Sequence, residues 1–331
     1  MNKKKVLVTG ATGFLGRHLV RRLLELNCEV TILVRPSSHL EPFADLELKK
    51  AYGDITDTLA LLQACEGKDI VYHLAGFIAY KRTDRKAMEK INVQGTRNVV
   101  DACITNKVGA LVHLSSVVTI GASRGPKALD ENAEYNLAKF NLGYFETKRS
   151  AEKIIVEAHE EHNLNAFLIN PSTIYGAGDA TKGSRKTQIK VAKGKFKLYP
   201  PGGVNVVYVK DVIDAIIAVT ERGKPARRYI VCGDNLTIKE LFRIIADEAG
   251  VKPPSIPIPK LFIKILGKIG DLMTAFGKET SLSSETAVTS TLYHWFDGSR
   301  AQRELQLKPT PSRVAIAESI SWMKEKGLLD S

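Results

Sequence analysis

A strand that runs into a glycine turn and straight on into a helix constrains this chain more than any other stretch. Val6, Leu7 and Val8 lead through Thr9 into Gly10-Ala11-Thr12-Gly13-Phe14-Leu15-Gly16, and Arg17 to Leu24 continue at helical period. Gly10 can take a positive φ in the tight turn, Gly13 lets a ligand's phosphates approach the backbone, and Gly16 lets helix and strand pack closely. The helix N-terminus that follows points unpaired N–H groups at an anion. A glycine triplet alone is an ordinary turn, but between a strand and a helix it predicts a dinucleotide pyrophosphate site. Gly10, Thr12, Gly13, Phe14, Leu15 and Gly16 are therefore candidate cofactor residues.

A second apolar run, Glu29 to Arg35, reads as the next strand. In dinucleotide folds the end of this strand meets the adenosine ribose, roughly 20 residues past the last glycine, where an acidic residue holds the 2′-hydroxyl of NAD. Arg35 stands there instead, followed by Ser37 and Ser38. A guanidinium suits a 2′-phosphate, so NADP(H) is expected over NAD(H). Further strands are predicted at 46–55, 69–76, 110–116 and 165–172, alternating with helices at 58–65, 91–106 and 144–162. That alternation implies an α/β fold with a Rossmann-type, doubly wound parallel sheet. Later elements (strands at 204–209 and 228–231, helices at 211–222 and 237–249, a Pro-rich linker at 253–259, terminal helices at 297–305 and 312–326) lose the strict alternation. They suit a smaller, mostly C-terminal substrate-binding part. The expected division is 1–175 with 204–234 for the dinucleotide, and 176–203 with 235–331 for the substrate.

Composition narrows the class. The chain has 331 residues, 44% hydrophobic and 25% charged, enough for a substantial core without staples. Cys28, Cys65, Cys103 and Cys232 form no C-x-x-C pair, which argues against a metal site or a disulfide framework and fits a reducing compartment. The basic start, Lys3 to Lys5, precedes a run cut by three glycines, so it reads as a strand rather than a signal peptide. No stretch has the length of a membrane span, and a cytoplasmic protein is expected. The net charge of +12 is densest in the lysines and arginine between Lys182 and Lys197. Few aromatics interleave that segment and no nucleic-acid motif accompanies it, so a solvated surface is expected and nucleic acid is not.

Two features carry chemistry. Ser115 and Ser116 end the fifth strand, on the edge where open α/β sheets bind ligands. Tyr144 and Lys148 share one helix face at i and i+4, and an ammonium beside a phenol favours phenolate, giving a proton-transfer group for a carbonyl or alcohol. Tyr135 and Lys139 have the same spacing, which by itself leaves both pairs open. Farther on, 260–276 is amphipathic, with an apolar face flanked by Lys260, Lys264 and Lys268. Such a helix can lie in a membrane interface, but cover over a substrate cavity or core is the expectation.

These residues together resemble the extended short-chain dehydrogenase/reductase family over nearly the whole chain. The resemblance rests on the glycine turn, Gly53-Asp54-Ile55, His73-Leu74-Ala75-Gly76, Asn92-Val93-Gln94-Gly95-Thr96, Ser115-Ser116, Tyr144 to Glu152, Asn170-Pro171-Ser172 and Asp297 to Ala301. The family pattern Y-x-x-[ST]-K-x-x-A-E is met by Tyr144, Thr147, Lys148, Ala151 and Glu152 and not by Tyr135, which is then expected in the loop ahead of the helix. The resemblance implies Tyr144 as acid/base, with Lys148 lowering its pKa and holding the nicotinamide ribose. It implies Ser116 on the substrate oxygen, with Ser115 beside it. Asp54 and Ile55 would flank the adenine, Ala75, Gly76 and Asn92 would line the cofactor, and Pro171 and Ser172 would meet the nicotinamide.

Sugar-nucleotide members of the family carry an arginine seven residues before the aspartate that matches Asp211, and another shortly before the Asp297 motif. Val204 occupies the first position and the second is missing. The chain looks closer to dihydroflavonol-reductase-like, 3β-hydroxysteroid-dehydrogenase-like and hopanoid-associated sugar-epimerase-like members. The expectation is an NADP(H)-preferring oxidoreductase acting on a carbonyl or secondary alcohol of a fairly apolar small molecule, without a metal. A sugar epimerase/dehydratase and a non-catalytic dinucleotide sensor are the alternatives. A homodimer through the helices bearing Asn92 and Tyr144 is also implied by the resemblance.

Overall fold

The computed structural model describes residues 1–179, 183–276 and 283–330. The first half alternates as expected. β1 (Lys5–Thr9), α1 (Phe14–Glu25), β2 (Glu29–Val34), β3 (Lys49–Tyr52), α2 (Thr58–Cys65) and β4 (Ile70–His73) come first, then α3 (Arg85–Met88), α4 (Gly95–Thr105) and β5 (Ala110–Leu114). The long α5 (Gly143–His162) returns the chain to β6 (Ala166–Pro171). The second half holds β7 (Thr173–Tyr175), α6 (Gly183–Ala192), β8 (Leu198–Tyr199), β9 (Gly203–Tyr208), α7 (Val209–Arg222) and β10 (Arg228–Val231). It continues with β11 (Asp234–Thr237), α8 (Ile238–Ala249), β12 (Ile256–Pro257), α9 (Lys260–Ala275), α10 (Ser284–Thr289), β13 (Tyr293–His294), α11 (Ser299–Glu304) and α12 (Ser312–Glu325).

Seven strands form one parallel sheet in the order β10-β6-β5-β4-β1-β2-β3, with Val6 beside both Val30 and Ile70 at the centre. This is a doubly wound sheet, as its near-continuous apolar strands require when helices cover both faces. α1 turns Phe14, Leu15, Leu19, Val20 and Leu23 into one face. Each such side chain adds roughly 1.5–3 kcal/mol when fully buried. α2, α4 and α5 cover the other face through Leu61, Val99 and Ile155. No described helix is long and apolar enough to cross a membrane.

The strand at 203–208, grouped with the dinucleotide part by its sequence position, pairs elsewhere. β9 runs antiparallel to β11 and parallel to β13 and β7 in a small second sheet, and the following α7 and β10 return to the large one. The Pro-rich linker holds β12, which pairs with β8. The start of α8 is as its sequence predicts, a capping box in which Thr237 and Glu240 bond each other's backbone N–H at 3.2 and 2.8 Å.

Two surface expectations change. The basic segment is not wholly solvated: Lys186, Lys190, Lys195 and Lys197 are exposed, but α6 turns Arg185 inward, where it is buried. Its guanidinium lies 3.6 Å over the Tyr175 ring and 3.4 Å from Asp179, and it donates to Gln188 and to the Ile174 carbonyl. Pairing with a carboxylate and an aromatic face is what makes the burial tolerable. Lys182 lies outside the described residues. The apolar face of α9, expected to cover a cavity or core, points outward instead. Packing is taken by a narrower buried stripe, Ile263, Gly267 and Gly270, in which Gly267 brings the helix backbone close to α10.

Candidate active site

The winding of the sheet reverses between β1 and β4, and the crevice beyond their C-terminal ends is where such sheets take ligands. Gly10 sits there at φ +69°, and a Cβ on it would fall 2.6 Å from the Ala75 backbone nitrogen. A Cβ on Gly16 would meet the Gly10 carbonyl oxygen at 2.2 Å. Gly13 is the exposed N-cap of α1, with no side chain capping the helix and no acidic residue in its first turn. A pyrophosphate would find backbone donors here and no opposing carboxylate, so the turn fits a nicotinamide dinucleotide. Thr12 is half-buried beside it. Phe14 and Leu15 send their side chains into the core and can reach a ligand only through backbone.

Arg35 follows the end of β2. It is exposed, and its guanidinium has no ion-pair partner among the described residues. Asp54 accepts from the Thr56 N–H and hydroxyl at 2.9 and 2.8 Å, and Ile55 is buried against Gly95. Gly76 is open to the crevice, and Ala75 donates to the Thr9 hydroxyl at 3.3 Å. Asn92 sits in a π-helical turn, Glu89–Gln94, rather than in a regular α-helix. Its amide is saturated by the Phe77 N–H and carbonyl at 2.7 and 2.9 Å and by Thr147 at 3.1 Å. It therefore shapes the crevice wall by fixing the loop after β4.

Next to this crevice a cleft of about 640 Å³ gathers Gly76, Ser115, Ser116, Tyr144, Pro171 and Ser172. Tyr144 and Lys148 lie in the first two turns of α5, and both are buried. Burial pushes the Tyr144 phenol above its ordinary value, Tyr80 adds to this, and the neighbouring Ser116 hydroxyl works the other way. Burial also drags the Lys148 ammonium down to about 8, against the pull of Glu152. Its Nζ donates to the Leu114 carbonyl at 2.6 Å. The expected lowering of the phenol's pKa by Lys148 is not seen here: the ammonium is turned to that carbonyl, and burial sets the direction of the shift.

His73 bridges the Thr9 and Thr96 hydroxyls at 2.8 and 3.0 Å, and burial, with Lys148 second, holds its pKa at about 3. His113, 5.2 Å from it, is pushed down in the same way, so both rings are neutral. Ser115 is not a free hydroxyl. It donates at 2.5 Å to Glu152, which also accepts from Thr119 at 2.9 Å, Asn170 at 2.5 Å and Arg228 at 2.7 Å. This buried carboxylate ties the ends of β5 and β6 to α5. Ser172 donates to Asn205 at 2.6 Å.

Sequence reasoning missed Tyr80, Arg185, Asn205, Thr286, Thr289 and His294, which complete the cleft wall with the apolar Ile78, Val117, Val118, Phe145, Val204 and Phe296. Apart from Thr286 and Thr289, which share α10, they come from separate stretches of the chain, with no common motif to announce them. Glu152 stood in plain view only as the last letter of a pattern. Tyr135 bonds Glu146 at 2.9 Å under Arg149, and Lys139 lies 5.3 Å from the Phe140 ring, so this second pair takes no part in the cleft. A second cavity of about 640 Å³ opens on the Arg228 side of Glu152 and is lined by charged groups, among them Arg149, Arg227 and Arg300.

Comparison with known proteins agrees with this geometry. Residues 6–232 match the model of the NAD dependent epimerase/dehydratase family. The chain is 29% identical to "Sterol demethylase protein B" of Methylococcus capsulatus, over 98% of this chain and 99% of that protein. It is 30% identical to a "3-beta-hydroxysteroid dehydrogenase" of Mycolicibacterium neoaurum, over 96% of this chain and 91% of that one. Among solved structures, gox2253 superposes with a TM-score of 0.88 at 32% identity, over 99% of this chain and 100% of that one. PA4631, a nucleoside-diphosphate-sugar epimerase from Pseudomonas aeruginosa, shares the fold with a TM-score of 0.81 at 22% identity, over 99% of each chain. The chain therefore belongs to the NAD-dependent epimerase/dehydratase family, the extended short-chain dehydrogenase/reductases, a family of NAD(P)-dependent enzymes.

Proposed function

We propose that this chain is an NADP(H)-preferring oxidoreductase that reduces a carbonyl, or oxidises a secondary alcohol, of a fairly apolar small molecule. The observation that carries the reading is the meeting of the Ser116 and Tyr144 hydroxyls in a cleft walled largely by apolar side chains. The Tyr144 phenol, held above its ordinary value by burial, is protonated at neutral pH, the form needed to give a proton to a substrate oxygen. Ser116 holds that oxygen, and Lys148, brought down to about 8 by burial, holds the ribose. The bound nicotinamide supplies or takes the hydride. Gly10 to Gly16 would hold its pyrophosphate and Arg35 a 2′-phosphate. In this reading 1–175 with 204–234 serve the cofactor, and 176–203 with 235–331 serve the substrate, to which they lend Arg185, Thr286, Thr289, His294 and Phe296. β9, in the second sheet, adds Val204 and Asn205 to the same wall.

The lining also speaks to substrate polarity. Val204 faces the cleft where sugar-nucleotide relatives would need a phosphate clamp, and the guanidinium in the wall, Arg185, is already matched by Asp179. The steroid and sterol names of two relatives point the same way.

The test is titration of the purified protein with NADPH and NADH, after any co-purified nucleotide is released and identified, together with Tyr144→Phe. Tight NADPH, weak NADH and a variant that binds cofactor but retains less than a few per cent of turnover on apolar ketones are expected. Firmly retained NAD would favour the epimerase/dehydratase reading, and failure to bind either dinucleotide would leave a fold without this activity.

A further inference from the structure

Among the described residues, half of the exposed large apolar side chains lie on the outward face of α9. Leu261, Phe262, Leu272 and Phe276 are 67, 60, 59 and 78% exposed, with Ile265 and Ile269 between them. Monomeric proteins seldom leave so much contiguous apolar surface in water without a use for it. At 100° per residue, the exposed apolar side chains span an arc of about 140°. The buried stripe of Ile263, Gly267 and Gly270 lies on the opposite side. Lys260, Lys264 and Lys268 form a row along one border, with Asp271 engaged in accepting from the Ser284 N–H at 3.1 Å.

We propose that α9 is an interfacial helix that docks this protein on an anionic lipid bilayer. The three-way division of the helix carries the argument. A protein-covering helix buries its apolar face, whereas here a small-residue stripe does the packing and the apolar face is left to another solvent. An in-plane membrane helix needs that arrangement, with apolar residues entering the acyl boundary and lysines at headgroup level. The charge selects the occupant. A second copy of this chain would bring another lysine row and another net charge of +12 to the contact, while anionic headgroups neutralise both. The docking is independent of the reaction. It has a geometric corollary nonetheless, because α9 packs on α10, whose Thr286 and Thr289 line the cleft.

The full chain would be sedimented with sucrose-loaded vesicles of phosphatidylcholine, alone or with about 30 mol% phosphatidylglycerol. Binding to the anionic vesicles, weak binding to the neutral ones and release by salt are expected. Phe262→Ser with Ile269→Ser should weaken binding at least tenfold. Lys260→Gln, Lys264→Gln and Lys268→Gln should cost about fivefold each, roughly a hundredfold together. Both variants alter exposed side chains, and an unchanged urea midpoint verifies their fold. The proposal is overturned if the wild-type chain stays in the supernatant, or if folded variants bind as well as it does. It is equally overturned if sedimentation equilibrium finds a dimer, abolished by Phe262→Ser with Ile269→Ser, in a chain that ignores vesicles.

Discussion

Lys148 is held in the fold at a cost, and that cost can be measured. Burial lowers its pKa from the ordinary 10.5 to about 8. At about 1.4 kcal/mol per tenfold, keeping the ammonium charged in the folded state costs about 3 kcal/mol. Between pH 8 and 10.5 the unfolded chain holds this proton more tightly than the folded one, so stability rises with pH across that window. Below pH 8 the whole penalty is present. Lys148→Met removes it but also leaves the Leu114 carbonyl without its 2.6 Å donor, a loss of roughly 1–3 kcal/mol that does not depend on pH. The variant should therefore be as stable as wild type, or up to about 2 kcal/mol more stable, at pH 7, and lose about 3 kcal/mol relative to wild type as pH rises through 10.5, ending about 1–3 kcal/mol behind. Urea unfolding of both proteins at several pH values gives the difference directly, other titrating groups cancelling between them. A difference that stays constant from pH 7 to 10.5 would refute the reasoning, because the ammonium would then have been no harder to hold inside than outside.

Two further outcomes follow from the same geometry. Arg35→Asp should raise the affinity for NADH relative to NADPH by at least tenfold, since it replaces a 2′-phosphate partner with a 2′-hydroxyl acceptor; unchanged relative affinities in the titration would remove Arg35 from the site. Glu152→Gln should destabilise the chain by about 2–4 kcal/mol, because Arg228 loses its counter-charge and the amide cannot accept from Ser115, Thr119 and Asn170 as the carboxylate does. A urea midpoint equal to that of wild type would show the network to be dispensable.

The dinucleotide half was legible in the sequence because its determinants are local. Gly10 and Gly16 answer to contacts a Cβ could not share, and β1, β4, β5 and β6 are apolar runs short enough to be strands and too regularly spaced to be anything else. The Tyr144 and Lys148 pair was legible as a shared helix face, but its electrostatics were not. Spacing places an ammonium near a phenol and says nothing of desolvation or of the carbonyl that the ammonium turns to. The cleft wall was illegible because its members, from Tyr80 after β4 and Arg185 on α6 to Asn205 and His294 in the second sheet and the threonines of α10, are far apart in the chain and meet only in the fold. Arg185 shows the limit of reading charge runs. Four lysines around it are exposed, whereas its own burial answers to Tyr175, Asp179 and the Ile174 carbonyl, all outside the run. The amphipathic period of α9 likewise identified two sides but put the wrong one inward, since glycines contribute nothing to hydropathy contrast.

The glycine at the middle of that helix has a mechanical consequence. A single Cβ at Gly267 would sit 2.6 Å from the Ala287 Cβ and 3.0 Å from the Ser283 carbonyl, so α9 and α10 touch with no slack between them. Thr286 and Thr289 stand on the inner helix of that joint, so any residue larger than glycine at position 267 has to push against the very helix that walls the cleft.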